Sequence, residues 1–282
     1  MIIIFGKSGQ VGSELSKFPG VLAVERNQVD FIHPNDCAKI IYREKPNAVI
    51  NAAAYTNVDQ SETNEALANI INAKAPAKMA RACADLRIPL VHISTDYVFD
   101  GSGPEPRYPT DTTGPQNAYG RSKLLGENLI RDSNVIHAIL RTSWVISEKG
   151  NNFVKTMLRL SASHTRLSIV NDQVGGPTPA KDVASACISI ANQLIHNPRK
   201  SGTYHFSGKP DVSRYEFAKV IFELRNRNLT TIPILTSDYP MTATRPLNSK
   251  LNCKDTETTF GITRPDWIMG LKDILTEIKR TK

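Results

Sequence analysis

Residues 2–12 read IIIFGKSGQVG, so four apolar residues run directly into the glycine spacing GxxGxxG. A short, wholly apolar run is typical of a strand that is covered on both faces. Gly6, Gly9 and Gly12 permit a tight strand-to-helix turn and the close approach of a diphosphate to the helix N-terminus. Because the motif follows a strand and opens a helix, it predicts a dinucleotide-binding turn rather than a plain βα turn without a ligand.

The chain continues as an alternation of short apolar runs and longer helical patterns. The predicted strands cover residues 2–5, 21–24, 48–51, 90–94, 136–141 and 167–170, and one more ends at 205–206. The predicted helices cover residues 11–18, 35–44, 64–86, 118–131, 153–162, 180–195, 214–225 and 270–278. This alternation predicts an α/β fold, a doubly wound parallel (Rossmann) sheet with right-handed crossovers.

After about residue 196 the pattern loosens, which predicts a smaller C-terminal substrate lobe. We expect residues 1–145 and 165–198 to form the dinucleotide-binding domain. The substrate-binding lobe would then comprise residues 146–164 and 199–282. A chain of 282 residues is long enough for such an arrangement.

Composition excludes several classes of protein. The formal net charge is +8, but the Lys and Arg residues are scattered, so no nucleic-acid-binding arm is expected. No stretch approaches 18 apolar residues, and the N-terminus lacks the features of a signal peptide, so we expect no membrane association. The four cysteines form no CxxC motif, which favours free thiols in the cytoplasm and argues against a metal site built on them.

The segment Tyr119-Gly-Arg-Ser-Lys123 is a YxxxK motif at the start of a predicted helix. The i, i+4 spacing places both side chains on one helical face. A carbonyl that is being reduced must receive a proton, which Tyr119 could donate. A lysine cation one turn away would stabilise the phenolate and lower the pKa of Tyr119. The motif therefore predicts acid–base chemistry, against the alternative of a solvent-facing helical pair.

Position supports the catalytic interpretation. The fourth predicted strand ends in Ser94-Thr95-Asp96, about 25 residues before Tyr119. The carboxyl edge of a doubly wound sheet is where such folds bind ligands. Thr95 is our candidate for a hydroxyl that binds the substrate carbonyl, and a turn or capping role is the alternative.

The residue that contacts the adenosine ribose decides between NADH and NADPH. An acid about 20 residues after the glycine loop binds this ribose in NAD-dependent proteins. Glu25 and Asp30 are both candidates, and Arg26 could instead hold the 2′-phosphate of NADPH. The cofactor is therefore expected to be NADPH or NADH, with no preference assigned.

Several blocks of sequence together carry a resemblance. They are GKSGQVG (6–12), NAAAYTNVD (51–59), STDYVFDG (94–101), YGRSK (119–123), RTSWV (141–145), DQVGGPT (172–178) and RPLNS (245–249). In these blocks the chain resembles the dTDP-4-dehydrorhamnose reductases, a family of extended short-chain dehydrogenases/reductases, over nearly its whole length. GxxGxxG and YxxxK are shared by the entire superfamily, whereas STDYVFDG, RTSWV and DQVGGPT are more discriminating.

The resemblance implies reduction of the 4-keto group of dTDP-4-dehydro-L-rhamnose with NADPH or NADH, which gives dTDP-L-rhamnose. By this likeness the catalytic residues are Thr95, Tyr119 and Lys123. The residues that match cofactor-binding positions are Gly6, Gly9, Gln10, Val11, Gly12, Asp30, Phe31, Ala53, Ala54, Tyr55, Tyr119 and Lys123. The residues that match substrate-binding positions are Thr95, Asp96, Tyr97, Val98 and Trp144, the last with core packing as its alternative. Relatives often carry His in place of Tyr55.

The resemblance also bears on metal binding and assembly. Some relatives hold Mg²⁺ near a dimer interface, and Glu14 and Glu277 resemble two of the ligands. Lys181 stands where a third acid would be expected, and Mg²⁺ favours acidic oxygens. We therefore expect no tightly held metal, while a homodimer is compatible with the likeness.

Two other functions remain open on the sequence. A nucleotide-sugar 4-epimerase with bound NAD also uses YxxxK, and a non-catalytic regulatory subunit can share the fold. Asn72, inside the third predicted helix, is expected either to hold a water or backbone group near the site or to lie exposed.

Overall fold

The computed structural model describes residues 1–280. Its strands are β1 (Ile2–Phe5), β2 (Val21–Val24), β3 (Ala48–Asn51), β4 (Leu90–Thr95), β5 (His137–Thr142), β6 (Val145–Ile146), β7 (Arg166–Val170), β8 (Val174–Gly175), β9 (Thr178–Pro179), β10 (Gly202–His205), β11 (Val212–Ser213), β12 (Thr230–Ile234) and β13 (Asn248–Ser249). Its α-helices are α1 (Gln10–Leu15), α2 (Pro34–Glu44), α3 (Val58–Thr63), α4 (Glu65–Asn69), α5 (Ala75–Leu86), α6 (Ala118–Asp132), α7 (Phe153–Ser163), α8 (Ala180–His196), α9 (Arg214–Leu224), α10 (Lys254–Phe260) and α11 (Trp267–Arg280).

The large sheet has six parallel strands in the order β10-β5-β4-β3-β1-β2. This confirms the doubly wound parallel sheet. The chain runs from β1 outward to β2 and then returns to the other side of β1 to form β3. The order therefore reverses between β1 and β3, and the crevice beyond their carboxyl ends is where such folds bind ligands.

Alternating side chains of the strands supply two apolar layers. Ile2 and Ile4 face a core cluster that includes α1 and α8. Ile3 and Phe5 face a second cluster, on the side of α2 and α5. All four side chains are buried, as expected when helices cover both faces of a parallel sheet.

A smaller set of elements packs around its own apolar cluster, which draws on α7, α9 and α11. β7 pairs in parallel with β12 in this part, and β8, β11 and β13 form a three-stranded sheet. Two strands thus pair differently from what the expected domain bounds imply. Residues 166–170 pair with β12 and not with a strand of the large sheet, whereas residues 202–205 form the edge strand of that sheet beside β5.

The prediction of one uninterrupted α-helix over residues 64–86 was wrong. The segment consists of α4, a π-helical turn at Ile70–Lys74 and α5. A π turn adds a residue to the helical turn and is frequent at functional sites. Within residues 1–280, we find no helix with the length and apolar character that a bilayer span requires.

Candidate active site

A cleft of about 1300 Å³ follows the carboxyl edge of the large sheet. The glycine loop after β1 lines one end of the cleft. Thr95, Tyr119 and Lys123 line its middle, and Arg214 and Arg245 approach from the C-terminal part of the chain. Residues that lie far apart in the sequence therefore share one elongated space, at the topological switch point of the sheet.

The glycine loop is closely packed against its surroundings. The backbone N–H of Gly9 donates to the Gly6 carbonyl at 2.9 Å. Gly6 has φ +94°, and a Cβ at this residue would lie 2.6 Å from the Ala53 backbone nitrogen. A Cβ on Gly12 would lie 1.9 Å from the Gly6 carbonyl oxygen. The loop can therefore keep this path only with glycine at positions 6 and 12.

Most predicted cofactor positions line this end of the cleft. They are Gly6, Gly9, Gln10, Val11, Asp30, Phe31, Ala53, Ala54 and Tyr55. Gly12 is an exception among the described residues, because it lies behind the loop and is buried in α1. The requirement for glycine at Gly12 thus comes from its contact with the Gly6 carbonyl, not from contact with a ligand.

Charged side chains surround the outer end of the cleft. Lys7 forms an ion pair with Glu25 at 2.5 Å, and Arg26 lies exposed beside it. Asp30 and Phe31 follow, and the Phe31 ring packs edge-on against Phe5. Both sequence candidates for the ribose acid therefore border the cleft, and one of them, Glu25, forms an ion pair with Lys7.

Tyr119 lies in the first turn of α6, which Asn117 caps by accepting a hydrogen bond from the Gly120 backbone N–H at 2.8 Å. Its ring packs edge-on against that of Tyr97, with the ring centroids 5.6 Å apart. Thr95 lies alongside at the end of β4 and accepts a hydrogen bond from the Tyr97 backbone N–H at 3.2 Å. The capped helix and the strand end thus bring the predicted phenol and hydroxyl together.

Lys123 follows one turn later and is only 1% exposed. Its Nζ donates to the Ile93 carbonyl at 2.7 Å and lies 3.0 Å from His92 Nε2. Burial lowers the pKa of Lys123 to about 8, although the charge of Glu127 opposes the change. Both polar contacts of the amine are therefore with residues of β4.

The expected lowering of the Tyr119 pKa was wrong. Burial raises the pKa of Tyr119, the charges of Asp96 and Tyr97 add to the rise, and a hydrogen bond with Thr95 opposes it. The Lys123 amine donates instead to the Ile93 carbonyl on β4, at 2.7 Å. The spacing of the YxxxK motif places the two groups on one face but does not show which groups each one contacts.

Asp96 is nearly inaccessible and lines the cleft beside Thr95. It accepts a hydrogen bond from the Thr95 hydroxyl at 3.1 Å. Burial raises the pKa of Asp96 to about 6. A carboxyl with this pKa can exchange a proton near neutral pH, next to the proposed catalytic hydroxyls.

Asn72 is buried in the π-helical turn and not exposed. Its side chain accepts from the Tyr55 backbone N–H at 2.7 Å and donates to the Tyr55 carbonyl at 3.1 Å. The same amide donates to Ser122 Oγ at 2.9 Å. This confirms that Asn72 holds a backbone group near the site, since it ties the segment after β3 to the helix that carries Tyr119.

The C-terminal end of the cleft contains arginines that sequence reasoning did not select. The Arg214 guanidinium lies 3.6 Å from the centroid of the Trp144 ring. Arg245 forms a two-point ion pair with Asp59, at 2.8 and 3.1 Å. Arg214 accordingly keeps a positive charge facing the cleft, whereas the charge of Arg245 is offset.

The predicted substrate residues fall into two groups. Asp96, Tyr97 and Trp144 line the cleft with Thr95, so Trp144 is not ordinary core. Val98 is a correction: it is fully buried with Phe99, Leu251 and Cys253 and is absent from the cleft lining in the described chain. It lies at the end of the one-turn 3₁₀-helix Asp96–Val98, which follows β4.

The residues considered for Mg²⁺ lie on three different helices. Glu14 is nearly buried in α1 and pairs with Lys17 at 2.6 Å. Glu277 lies on α11 and Lys181 on α8. Among residues 1–280, no three His, Cys, Asp or Glu side chains come together as a metal site would require. The absence of a tightly held metal stays a prediction.

Comparison with known proteins agrees with this geometry. Residues 1–280 match the family model described as the RmlD substrate binding domain. The dTDP-4-dehydrorhamnose reductase of Salmonella typhimurium is 37% identical over 99% of this chain and 98% of its own length. The reductase of Aggregatibacter actinomycetemcomitans is 41% identical over 97% of each chain.

Solved structures show the same likeness. The dTDP-4-dehydrorhamnose reductase of Clostridium acetobutylicum has a TM-score of 0.91 and 37% identity, covering 99% of both chains. The Bacillus anthracis enzyme, solved in complex with NADP, has a TM-score of 0.89 and 34% identity, covering 98% of both chains. On its sequence, its fold and the layout of its cleft, this chain belongs to the dTDP-4-dehydrorhamnose reductase family.

Proposed function

We propose that this protein reduces the 4-keto group of dTDP-4-dehydro-L-rhamnose with NADPH or NADH and releases dTDP-L-rhamnose. The observation that carries the proposal is the position of Thr95, Tyr119 and Lys123. They meet in the middle of one cleft, between a glycine loop fit for a diphosphate and the guanidinium of Arg214, which stacks on Trp144. A related reductase was solved with NADP, which supports a nicotinamide cofactor.

The residues divide the work by their place in the cleft. When bound, the reduced nicotinamide supplies the hydride for C4 of the sugar. Tyr119 protonates the oxygen that becomes negative at C4, and Thr95 orients the keto group by a hydrogen bond. Because burial raises the pKa of Tyr119, the phenol holds its proton at neutral pH until that oxygen gains charge. Tyr119 is thus protonated before the reaction starts.

We propose that Arg214 binds the diphosphate of the sugar nucleotide. Its guanidinium stacks on Trp144 and forms no side-chain hydrogen bond with the described residues. Burial lowers the pKa of Arg214 to about 10, so it is still charged at neutral pH. A stacked guanidinium presents its N–H groups in a fixed plane, which suits the bidentate binding of phosphate oxygens.

The assignment of the two parts of the chain follows from the same arrangement. The large sheet would bind the dinucleotide, and the elements around α7, α9 and α11 would bind the dTDP-sugar. We further propose a cytoplasmic location, which the four free, buried cysteines support. A homodimer is the proposed assembly, and light scattering on the purified protein would test it.

The direct test mixes the protein with dTDP-4-dehydro-L-rhamnose and either NADPH or NADH. Loss of the reduced-nicotinamide absorbance, with one equivalent consumed per dTDP-L-rhamnose formed, is the expected result. Protein that carries NAD when purified and consumes no added cofactor would favour the epimerase. Absence of turnover together with a co-purifying enzyme would favour the regulatory subunit.

A pair of matched variants tests the proton donor. Tyr119→Phe should lower kcat by about 10²–10⁴-fold, the usual contribution of a general acid, with little change in cofactor affinity. Tyr108→Phe removes the same hydroxyl from a residue that is 50% exposed, and it should leave kcat unchanged. Equal activity of the two variants would contradict the assignment of Tyr119.

A further inference from the structure

A row of three buried polar side chains connects Lys123 to the neighbouring strands. Asn51 ends β3, His92 lies within β4, and Lys123 projects from α6. Their side chains are 0%, 0% and 1% exposed. Asn51 Nδ2 lies 3.0 Å from His92 Nδ1, and His92 Nε2 lies 3.0 Å from Lys123 Nζ. The row ends in the catalytic cleft, which Lys123 lines.

The direction of these hydrogen bonds is set at the Asn51 end. Asn51 Oδ1 accepts from the Ala53 backbone N–H at 3.1 Å. A backbone N–H can only donate, so the oxygen of the amide must face Ala53 and its nitrogen must face His92. Nδ2 therefore donates to His92 Nδ1, which must lack a proton. A neutral imidazole with a bare Nδ1 carries its proton on Nε2.

That proton points at Lys123. An ammonium group has three donors and no lone pair, so it cannot accept a hydrogen bond from the His92 Nε2–H. A neutral amine can accept this bond and still donate to the Ile93 carbonyl at 2.7 Å. With an uncharged Lys123, every donor in the row has an acceptor. With a charged Lys123, the His92 Nε2–H and an ammonium N–H would be two donors facing each other.

We infer that His92 is a positioning residue, whose Nε2–H donates to the uncharged amine of Lys123 and loses this partner when Lys123 becomes protonated. The consequence for catalysis rests on the function proposed above. Nothing in the hydrogen-bond argument itself depends on the substrate or on turnover.

The surroundings of Lys123 favour the uncharged amine above about pH 8. Burial lowers the pKa of Lys123 to about 8, and burial, followed by the charge of Lys123, lowers the pKa of His92 well below its ordinary value. The charged or titratable groups on the packed elements include Tyr119, Arg121, Glu127 and Arg131 on α6, His137 and Arg141 on β5, Asp96 after β4, Lys74 in the π-helical turn, and Glu62 and Glu65 on α3 and α4. Of these, Glu127 favours the charged lysine, but it forms ion pairs with Arg141 and Arg131.

Protonation of Lys123 would therefore change its contacts. His92 cannot respond by moving its proton to Nδ1, because Asn51 already donates there. The ammonium would keep the Ile93 carbonyl and turn its remaining N–H groups away from His92, towards the cleft and Tyr119. After Tyr119 has given its proton to the substrate oxygen, a proton from Lys123 can restore the phenol. The lysine then returns to the uncharged state that His92 stabilises.

Nuclear magnetic resonance on the cofactor-free protein tests this inference. The ¹⁵N spectrum of the histidines reports which ring nitrogen carries the proton, and His92→Gln identifies the signal of His92 by its loss. We expect the proton on Nε2. The ¹³Cε signal of Lys123, assigned with Lys123→Arg, should titrate near pH 8. A proton on Nδ1, or a lysine midpoint above pH 10, would overturn the inference.

Asn51→Asp provides the reciprocal test. A carboxylate there accepts from both Ala53 and His92 Nδ1, so the His92 proton should move to Nδ1 and Nε2 should become an acceptor for the ammonium. The Lys123 midpoint should then rise by at least one pH unit. Asn47→Asp adds the same charge at an exposed position just before β3, and it should leave the midpoint unchanged. Equal midpoints in the two variants would overturn the inference.

Failure of the reductase assay alone would leave these spectra unaffected, so the two proposals can fail separately.

Discussion

Glu127 is the buried carboxylate that fastens the catalytic helix α6 to the large sheet. Its side chain is fully buried, and both of its oxygens are engaged. Arg141 donates to Oε1 from Nε at 3.0 Å and to Oε2 from Nη2 at 2.7 Å. Ser94 donates to Oε1 at 2.6 Å, and Arg131 donates to Oε2 at 2.6 Å. Glu127→Gln keeps the shape of the side chain and removes its charge.

The two arginines predict different energetic costs. Arg141 is 2% exposed, so Glu127→Gln would leave a buried guanidinium without its counter-charge. Breaking one side of a buried pair costs about 3–5 kcal/mol. Arg131 is 33% exposed, and its loss in Arg131→Ala should cost at most about 1 kcal/mol. At about 2–4 °C per kcal/mol, Glu127→Gln should lower the Tm by about 6–20 °C and Arg131→Ala by a few degrees.

Thermal and urea unfolding, followed by circular dichroism, measure both variants. The pKa of Glu127 is lowered by Arg141, despite the opposing effect of burial. A carboxyl with a lowered folded-state pKa stabilises the protein above its unfolded-state pKa, and this stabilisation is lost as the pH falls through the folded-state value. The gap in unfolding free energy between wild type and Glu127→Gln should therefore be full at pH 7 and shrink below about pH 4. A loss under about 1 kcal/mol at pH 7, or equal losses in the two variants, would refute this reasoning.

Three further predictions concern ligand binding. Gly12→Ala would place its Cβ 1.9 Å from the Gly6 carbonyl oxygen, so the Kd for NADPH, measured by fluorescence titration, should rise more than about tenfold. Gly9→Ala makes a looser contact of 3.3 Å with the same oxygen, so its Kd should rise less. Arg26→Ala should raise the KM for NADPH about fivefold and leave the KM for NADH unchanged, because only NADPH has a 2′-phosphate; equal changes would show that Arg26 does not contact it. Arg214→Lys keeps the charge but loses the planar stack on Trp144, so steady-state kinetics should show the KM for the dTDP-sugar about tenfold higher with kcat nearly unchanged.

The strands nearest the glycine loop could be predicted from sequence because their signal is local. β1, β2 and β3 have the predicted bounds, since each is a short apolar run. The placement of β7 and β10 could not be predicted in the same way. A short apolar run indicates a strand, but the identity of its neighbours depends on contacts with distant parts of the chain.

The parts of the site that could be predicted have distinctive residue patterns, and the others do not. The π-helical turn at Asn72 escaped notice because one added residue hardly changes the helical pattern of apolar positions. Arg214 could have been noticed, since Ser213 and Glu216 form a capping box that places it in the first turn of α9. His92 offers no such signal, because a single histidine in a buried strand most often has only a structural role.

Transfer of deuterium from NADPH that carries deuterium at both C4 positions is the most direct measurement of the proposed reaction. The wild-type protein should place one deuterium at C4 of the hexose for each NADPH oxidised, as read by mass spectrometry and proton spectra of the product. Tyr119→Phe should transfer deuterium to the same carbon at a rate lower by about 10²–10⁴-fold. A product without deuterium at C4, or undiminished transfer by Tyr119→Phe, would contradict hydride reduction with Tyr119 as the proton donor.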